Sequence, residues 1–207
     1  MLSDALNYPY NSEDQVRTYG IATLLYITSI LILPLFPLLG YFIKVTRKSL
    51  EGNQQMPKFE NFPKLFTDGL KATVITVIYF TGSILAMSLT TSIGSQTAAL
   101  PFFLLGLTLF LTVIYALPSA FAELAREDSL TAAFNLKKVF RQAFTRQYLL
   151  GMTSIMAAGL LIGIAQLAIT ILLIVTVIGI PLLLIFIPAA NFYQYTVYHR
   201  IIASATK

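Results

Sequence analysis

Two groups of ionisable side chains are the places where this sequence concentrates residues capable of acid–base chemistry. One surrounds Asp68, and the other covers residues 123–128. Carboxylates that converge at one membrane depth could act as general acid and base on a lipid headgroup. Glu123 and Arg126 lie three positions apart, however, which is the spacing of an ion pair on one helix face. Asp68 is expected to pair with a neighbouring lysine, so both groups favour a structural role.

The composition excludes several common types of active site. The chain has no cysteine and a single histidine, His199, so thiolate catalysis, disulfide bonds and a multi-histidine metal centre within one chain are ruled out. The sequence contains no glycine-rich phosphate-binding loop and no serine or lysine nucleophile beside a partner base. We therefore predict a protein that is not an enzyme and has no catalytic, cofactor-binding or metal-binding residues.

The elements that carry these side chains are predicted to be membrane helices. Of the 207 residues, 57% are hydrophobic and only 11% are charged, whereas soluble domains carry about 25% charged residues. Residues 72–122 and 147–198 contain no aspartate, glutamate, lysine or arginine. Each of these runs is longer than the roughly 20 apolar residues that a spanning helix needs. The sequence therefore predicts an all-α integral membrane helical bundle formed by a single domain, residues 1–207.

Five hydrophobic stretches can be drawn as membrane-spanning helices. They cover residues 20–43, 72–92, 100–122, 150–175 and 181–198. The last two are separated at residues 176–181, where Gly179 and Pro181 favour a break. Pro34 and Pro37 interrupt the first stretch, so an alternative remains in which this stretch is re-entrant and four helices span the membrane.

Lysine and arginine are distributed unevenly between the predicted connecting segments. Residues 44–71 hold six of them, residues 123–147 hold five, and the C-terminal segment holds Arg200 and Lys207. Five spans place thirteen of the fourteen basic residues on one side, which the positive-inside rule assigns to the cytoplasm. We therefore predict a multi-pass protein of the cell membrane with both basic loops and the C-terminus in the cytoplasm. Five spans place the N-terminus outside, whereas the four-span alternative places both termini in the cytoplasm. The net charge of +5 indicates topology and attraction to anionic headgroups rather than nucleic-acid binding.

Each basic loop contains an amphipathic segment. Apolar and aromatic residues recur every three or four positions in residues 59–69 and again in residues 133–145, opposite polar and basic residues. This pattern is typical of a helix that lies in the interface plane, so we predict two interfacial helices on the cytoplasmic face. The candidate contacts with anionic lipid are Lys64, Lys71, Lys137, Lys138, Arg141 and Arg146.

The two halves of the chain share an order of elements. A span, an interfacial helix and a second span occur in residues 20–92 and again in residues 100–175. This order suggests a weak parallel repeat, unless any cytoplasmic loop of this length would look similar.

Small residues within the predicted spans are candidates for helix packing. These residues are Gly82, Gly159 and Gly163, of which the last two form a GxxxG motif. Such residues allow helices to approach closely, either within one chain or between the chains of a homo-oligomer.

Several short motifs resemble those of a known family. They are Gly40-Tyr41, Leu50-Glu-Gly52, Pro57-Lys-Phe59, Phe66-Thr-Asp-Gly-Leu-Lys71, Ala125-Arg126, Leu130-Thr-Ala-Ala-Phe134, Arg146-Gln-Tyr148-Leu149, Ile178-Gly-Ile-Pro181 and Phe192-Tyr193. Their order and spacing are similar to those of small prokaryotic, chiefly archaeal, membrane proteins grouped as a domain of unknown function. The pattern more distantly resembles the membrane domains that accompany some glycerophosphodiester phosphodiesterases. The resemblance implies a multi-pass cell-membrane protein without an assigned activity, and it supplies no catalytic residues.

The predicted function follows from where the charges lie. Two aromatic and basic helices at the surface, beside spans without reactive groups, favour contact with anionic lipid or with a membrane protein partner. The alternative is a channel or facilitator for a small neutral or weakly polar solute, with Gln166 and serine and threonine hydroxyls along the path.

Near the C-terminus, Tyr193, Tyr195 and Tyr198 with Arg200 are typical of an interfacial aromatic belt and its basic anchor.

Overall fold

The structure is a computed structural model that describes residues 1–12, 14–92, 96–176 and 179–207. Within these ranges the chain is helical and contains no β-strand. The helices are α1 (Leu2–Asn7), α2 (Gln15–Thr28), α3 (Leu35–Leu50), α4 (Phe62–Ser92), α5 (Gln96–Glu127), α6 (Leu130–Ala133), α7 (Leu136–Ala143), α8 (Arg146–Val175) and α9 (Gly179–Ala205). Short 3-10 helices at Tyr8–Tyr10 and Ser29–Leu31 follow α1 and α2.

Four of these helices contain segments that are long and apolar enough to cross a membrane. The segments are Phe62–Ser92, Ala99–Glu127, Arg146–Val175 and Gly179–Ala205. Between 6% and 22% of the residues in their most apolar stretches are buried inside the protein. Because most of this apolar surface faces outward, it requires a lipid environment, and the fold is that of a membrane-embedded multi-pass helical protein.

The predicted first span does not form one helix. Helix α2 ends at Thr28 and α3 begins at Leu35, and Ile32 between them has a left-handed φ of 67°. Pro34 has no backbone N–H to donate and restricts the residue before it, so the chain turns here instead of continuing. The prediction of five spanning helices is therefore not confirmed for the described residues. Each of the other four predicted spans lies within one of the long helices.

Helices α2 and α3 instead form a helical hairpin whose turn is apolar. Ile30, Leu31, Ile32 and Leu33 are between 64% and 87% exposed. Four neighbouring aliphatic side chains at such exposure suit an apolar surrounding rather than water. The other part of the hairpin packs on α9 around Phe192, which is fully buried.

Helices α3 and α4 pack backbone to backbone through two glycines. A Cβ atom at Gly40 would overlap the carbonyl group of Leu65, and a Cβ atom at Gly69 would overlap the carbonyl group of Phe36. In each helix the contacted carbonyl belongs to the residue four positions before the glycine, so the contact is reciprocal. This close approach permits dense packing and weak Cα–H···O contacts between the helices.

The N-terminal segment packs against the C-terminal part of α9. The Tyr193 hydroxyl donates to the carbonyl oxygen of Leu6 at 2.8 Å, and Arg200 Nη2 lies 3.1 Å from Asp4 Oδ2. The Arg200 guanidinium also lies 4.6 Å from the ring centroid of Tyr8. With these partners around it, Arg200 is only 5% exposed. The predicted role of Arg200 as a basic anchor among the headgroups is therefore wrong.

Candidate functional site

Five charged side chains from α3, α4 and the residue after α5 form one ion-pair cluster. Arg47 Nη1 lies 3.0 Å from Asp68 Oδ2, and Arg47 Nη2 lies 3.5 Å from Asp128 Oδ1. Lys64 Nζ lies 2.8 Å from Asp68 Oδ1 and 2.5 Å from Asp128 Oδ2. Lys71 Nζ lies 3.0 Å from Asp128 Oδ1. The two regions that the sequence singled out for acid–base chemistry thus meet, but each carboxylate faces at least two cations.

Asp128 holds this cluster together at the end of α5. Its backbone is left-handed, with a φ of 53°, and its N–H donates to the carbonyl oxygen of Leu124 at 2.9 Å, which closes the last turn of the helix. Partial burial disfavours ionisation, but hydrogen bonds and charges from Lys64 and Lys71 outweigh it and lower the pKa of Asp128 to about 2. Such a carboxylate is a poor general base near neutral pH, so the geometry favours a structural role that joins α3, α4 and α5.

A polar groove opens where α5, α7 and α9 end. Arg126 Nη1 lies 2.7 Å from Glu123 Oε1, which confirms the predicted ion pair, and Arg126 Nη2 donates to the carbonyl oxygen of Thr206. Gln142 Nε2 donates to the same carbonyl at 2.6 Å. These donors satisfy a carbonyl near the end of α9 that helical hydrogen bonding leaves without a partner. The groove has a volume of about 420 Å³, and Arg141 of α7 contributes to its lining.

Helix α7 is fixed to α5 by hydrogen bonds to its backbone. The Tyr115 hydroxyl donates to the carbonyl oxygen of Ala143 at 2.5 Å, and Ser119 Oγ donates to the carbonyl oxygen of Val139 at 3.2 Å. The side chain of Asn135 caps the first turn of α7. Hydroxyl groups from a spanning helix therefore determine where this short helix lies.

Helix α7 and the residue after it present three different faces. Val139 and Ala143 are fully buried against the rest of the protein. Leu136 and Phe144 are 53% and 74% exposed. The exposed cations beside them are Lys137 and Arg141. An exposed apolar strip thus runs next to a cationic strip on a helix whose third face is anchored.

The six cations predicted to contact lipid fall into two groups. Lys64 and Lys71 belong to the ion-pair cluster, and Lys138 Nζ lies 2.6 Å from Glu127 Oε1. The exposed cations that form no salt bridge with any residue the structure describes are Lys137, Arg141 and Arg146. The ion pair between Lys64 and Asp68 confirms the predicted pairing of Asp68 with a neighbouring lysine. The sequence offered no signal for the part of Asp128, which lies 57 positions from Lys71 in the chain.

The first predicted interfacial helix is not a separate element, which corrects that prediction. Residues 62–69 continue without a break into α4. Leu65 and Asp68 on this segment are fully buried, because the side that carries them packs on α3, where Asp68 meets Arg47. The second predicted interfacial helix does correspond to a separate helix, α7.

An apolar groove of about 360 Å³ lies between α4 and α5 beside α7. Gly82 lines this groove, and a Cβ atom added there would meet no atom within 4 Å. Leu136 and Phe140 of α7 line the same groove. Gly82 therefore leaves open space on the outer surface of the described chain instead of packing against another of its helices.

The two glycines of the GxxxG motif have different surroundings. Gly159 lies against the hydroxyl group of Tyr198 in α9, whereas a Cβ atom at Gly163 would meet nothing within 4 Å. Sequence reasoning missed Gly40 and Gly69, where α3 and α4 do pack closely. The residues around these two glycines gave no GxxxG spacing to reveal them.

Gln166, the most polar residue of the predicted fourth span, lines a second outer groove. This groove lies between α2, α8 and α9 and has a volume of about 490 Å³. Gln15, Tyr19 and Tyr193 also line it, so several hydrogen-bonding groups meet an otherwise apolar surface.

The fold and these surfaces define the class of the protein. Four long helices with mostly exposed apolar residues make it a multi-pass helical membrane protein. The chain belongs to the family described as Protein of unknown function (DUF4013), whose model matches residues 23–187. This match fits the predicted uncharacterised family, while the archaeal bias and the link to phosphodiesterase-associated domains stay predictions. No curated protein and no solved structure matches the chain.

Proposed function

We propose that the protein is a non-enzymatic membrane protein that binds anionic phospholipid headgroups at the cytoplasmic face through α7. The observation that carries this proposal is the exposed apolar pair Leu136 and Phe144 beside the exposed cations Lys137 and Arg141. An apolar strip of this kind inserts into the boundary between headgroups and acyl chains. Each cation near the surface then contributes about 1 kcal/mol of attraction to anionic lipid.

In this proposal four helices span the membrane and both termini are cytoplasmic. Asp14 Oδ2 lies 3.3 Å from Lys58 Nζ, and Asp4 pairs with Arg200, so the N-terminal segment contacts the first basic loop and the end of α9. The α2–α3 hairpin then enters the membrane and returns to the same side, with its apolar turn in lipid and its backbone hydrogen bonds made within the helices and the turn. All fourteen lysines and arginines fall on the cytoplasmic side.

Tryptophan fluorescence gives a direct test, because the chain contains no tryptophan. Phe144→Trp places one indole beside the proposed headgroup site, and a brominated phospholipid in contact with it quenches its emission. In nanodiscs with equal fractions of phosphatidylglycerol and phosphatidylcholine, we expect stronger quenching when the phosphatidylglycerol is the brominated lipid. Leu184→Trp, on α9 and 69% exposed, is the control and should show no preference. Equal quenching by both lipids at position 144 would contradict the proposal.

Charge variants separate the headgroup attraction from the apolar contact. Lys137→Gln combined with Arg141→Gln should abolish the preference while both lipids still quench the Phe144→Trp indole, because the apolar strip is unchanged. The matched control, Arg17→Gln combined with Lys48→Gln, removes the same charge elsewhere on the cytoplasmic side and should keep the preference. A preference that survives neutralisation of α7 would show that the headgroup site lies elsewhere.

A second candidate function, a facilitator for small weakly polar solutes, is favoured by the surroundings of Gln166. The amide lies on an apolar surface with Gln15, Tyr19 and Tyr193 nearby, which would give a solute a series of hydrogen-bonding partners. Purified protein in liposomes should then admit solute faster than empty vesicles do, and Gln166→Leu should slow that entry. Entry at the rate of empty vesicles for a broad solute panel would rule this candidate out.

A further inference from the structure

The apolar groove beside α7 offers a ligand little except hydrocarbon contact. Two of its lining side chains carry hydroxyl groups, and both are already bonded within the protein. The Tyr79 hydroxyl donates to the carbonyl oxygen of Ala133 at 2.7 Å, and Thr112 Oγ1 donates to that of Thr108 at 2.8 Å. These two hydroxyl groups have no hydrogen left to donate and offer a ligand only their oxygen lone pairs. The chemistry of the groove therefore selects an apolar chain.

The shape of the groove favours a flexible chain over a helix from a second copy. Gly82 supplies the space, but Ile78 and Leu85, one turn away on the same face of α4, are 52% and 60% exposed. Helices pack closely in lipid along strips of small residues, so these two side chains would hold a partner helix away from Gly82. The volume of about 360 Å³ lies within the roughly 300–1,000 Å³ of typical ligand sites.

The groove lies next to the cations of the proposed headgroup site. Leu136 and Phe140 both line it, and the residue that follows each of them in α7 is an exposed cation, Lys137 and Arg141 respectively. A phospholipid carries an anionic headgroup and an apolar chain in one molecule, so a single lipid can contact both the cations and the groove. In lipid, burying a hydrocarbon chain brings no net hydrophobic gain, so selection depends on shape and on the headgroup charge.

We propose that this groove holds one acyl chain of the anionic phospholipid whose headgroup binds α7, so that one bound lipid bridges α4, α5 and α7. This inference rests on the proposed function, since it names the second half of the same site. The lipid fills the space that Gly82 leaves open and stays with the protein when bulk lipid is removed.

Filling the groove with a side chain tests the inference. Gly82→Leu adds its side chain where the structure has open space, and Gly163→Leu makes the same change at an equally open position outside the groove. Retention of added dioleoyl phosphatidylglycerol is measured by native mass spectrometry of the full chain in detergent. We expect retention to fall about tenfold for Gly82→Leu and to stay unchanged for Gly163→Leu. Gly82→Ala adds a smaller side chain and should give an intermediate loss of lipid retention. It replaces Gly82→Leu in the test if the leucine variant loses helix content.

Different results would disprove the acyl-chain groove and the headgroup site. Wild-type retention by both Gly82→Leu and Gly82→Ala would overturn the groove and leave the quenching preference at Phe144→Trp untouched. For one bridging lipid we expect two results. The quenching preference is lost only when Lys137 and Arg141 are neutralised, and lipid retention falls when the groove is filled. A wild-type dimer that Gly82→Leu converts to a monomer would assign the groove to a second copy and overturn the inference.

Discussion

The guanidinium group of Arg200 lies 3.1 Å from the carboxylate of Asp4, although 196 positions separate the two residues in the chain. The same guanidinium donates to the carbonyl oxygen of Asn53 at 2.8 Å and to Gln54 Oε1 at 2.9 Å. One buried cation therefore ties the N-terminal segment and the end of α9 to the segment between α3 and α4. These contacts are the basis of the proposed four-span topology, in which the three parts of the chain lie on one side of the membrane.

Single-cysteine variants test this topology without background, because the chain has no cysteine. Ser3, Glu60 and Thr91 are exposed. Ser3→Cys and Glu60→Cys should react with a membrane-impermeant maleimide from the cytoplasmic side, and Thr91→Cys, near the end of α4, from the outside. Labelling of Ser3→Cys from the outside would support five spans instead.

Alanine at Gly40 or Gly69 should separate α3 from α4. The added methyl group would overlap a backbone carbonyl of the partner helix, which has no rotamer to change, so we expect a loss of about 1–3 kcal/mol in the free energy of unfolding. Gly82→Ala and Gly163→Ala, at open positions, should be neutral or stabilising by up to about 1 kcal/mol. Circular dichroism during thermal unfolding in detergent compares the four variants. Similar midpoints for all four would argue against the reciprocal contact.

Asp68→Asn should weaken the ion-pair cluster. The Asp68 side chain is 1% exposed and lies between Arg47 and Lys64. Arg47 and Lys64 keep Asp128 as a partner but lose their buried charge-assisted contacts with Asp68, so we expect a loss of about 1–3 kcal/mol in the free energy of unfolding. The control is Glu51→Gln, which breaks the exposed pair with Lys48 and should cost less than about 1 kcal/mol. If thermal unfolding showed equal losses of stability for Asp68→Asn and Glu51→Gln, the ion-pair cluster would not stabilise the fold through Asp68.

Acid should selectively remove the contribution of Asp128. The pKa of this residue is lowered in the folded protein from 3.8 to about 2, so its ionised form stabilises the fold fully above about pH 5 and loses that effect as the pH falls toward 2. The stability difference between wild type and Asp128→Asn should therefore shrink between about pH 5 and pH 2. Because Asp128 is partly exposed, the difference should also be smaller in high salt. A difference that stays constant across this range would contradict the proposed pairing.

Much of the helical framework could be predicted from the sequence because lipid imposes simple rules. A helix in hydrocarbon satisfies its own backbone and presents apolar side chains, so the charge-free runs at 72–122 and 147–198 located the four long helices. The break predicted from Gly179 and Pro181 agrees with an α8 that ends at Val175 and an α9 that begins at Gly179. The amphipathic pattern of α7 was also readable, since it depends only on neighbouring positions. The parallel repeat stays a prediction.

Only the tertiary structure decided which side chains of these helices pair and which glycines pack against a neighbouring helix. Hydropathy is the same for a span and for a hairpin, and Pro34 and Pro37 left both open. The contacts of the N-terminal segment with α9 and the first basic loop favour the hairpin. Lys71 and Lys137 look alike in sequence, but Asp128 neutralises the former from 57 positions away and leaves the latter exposed. Gly40 and Gly82 are likewise similar in sequence, and the path of the neighbouring chain determines which of them packs and which leaves a groove. Spacing along one helix predicted local pairs such as Glu123 with Arg126, whereas pairing and packing between helices depend on residues that are distant in the chain.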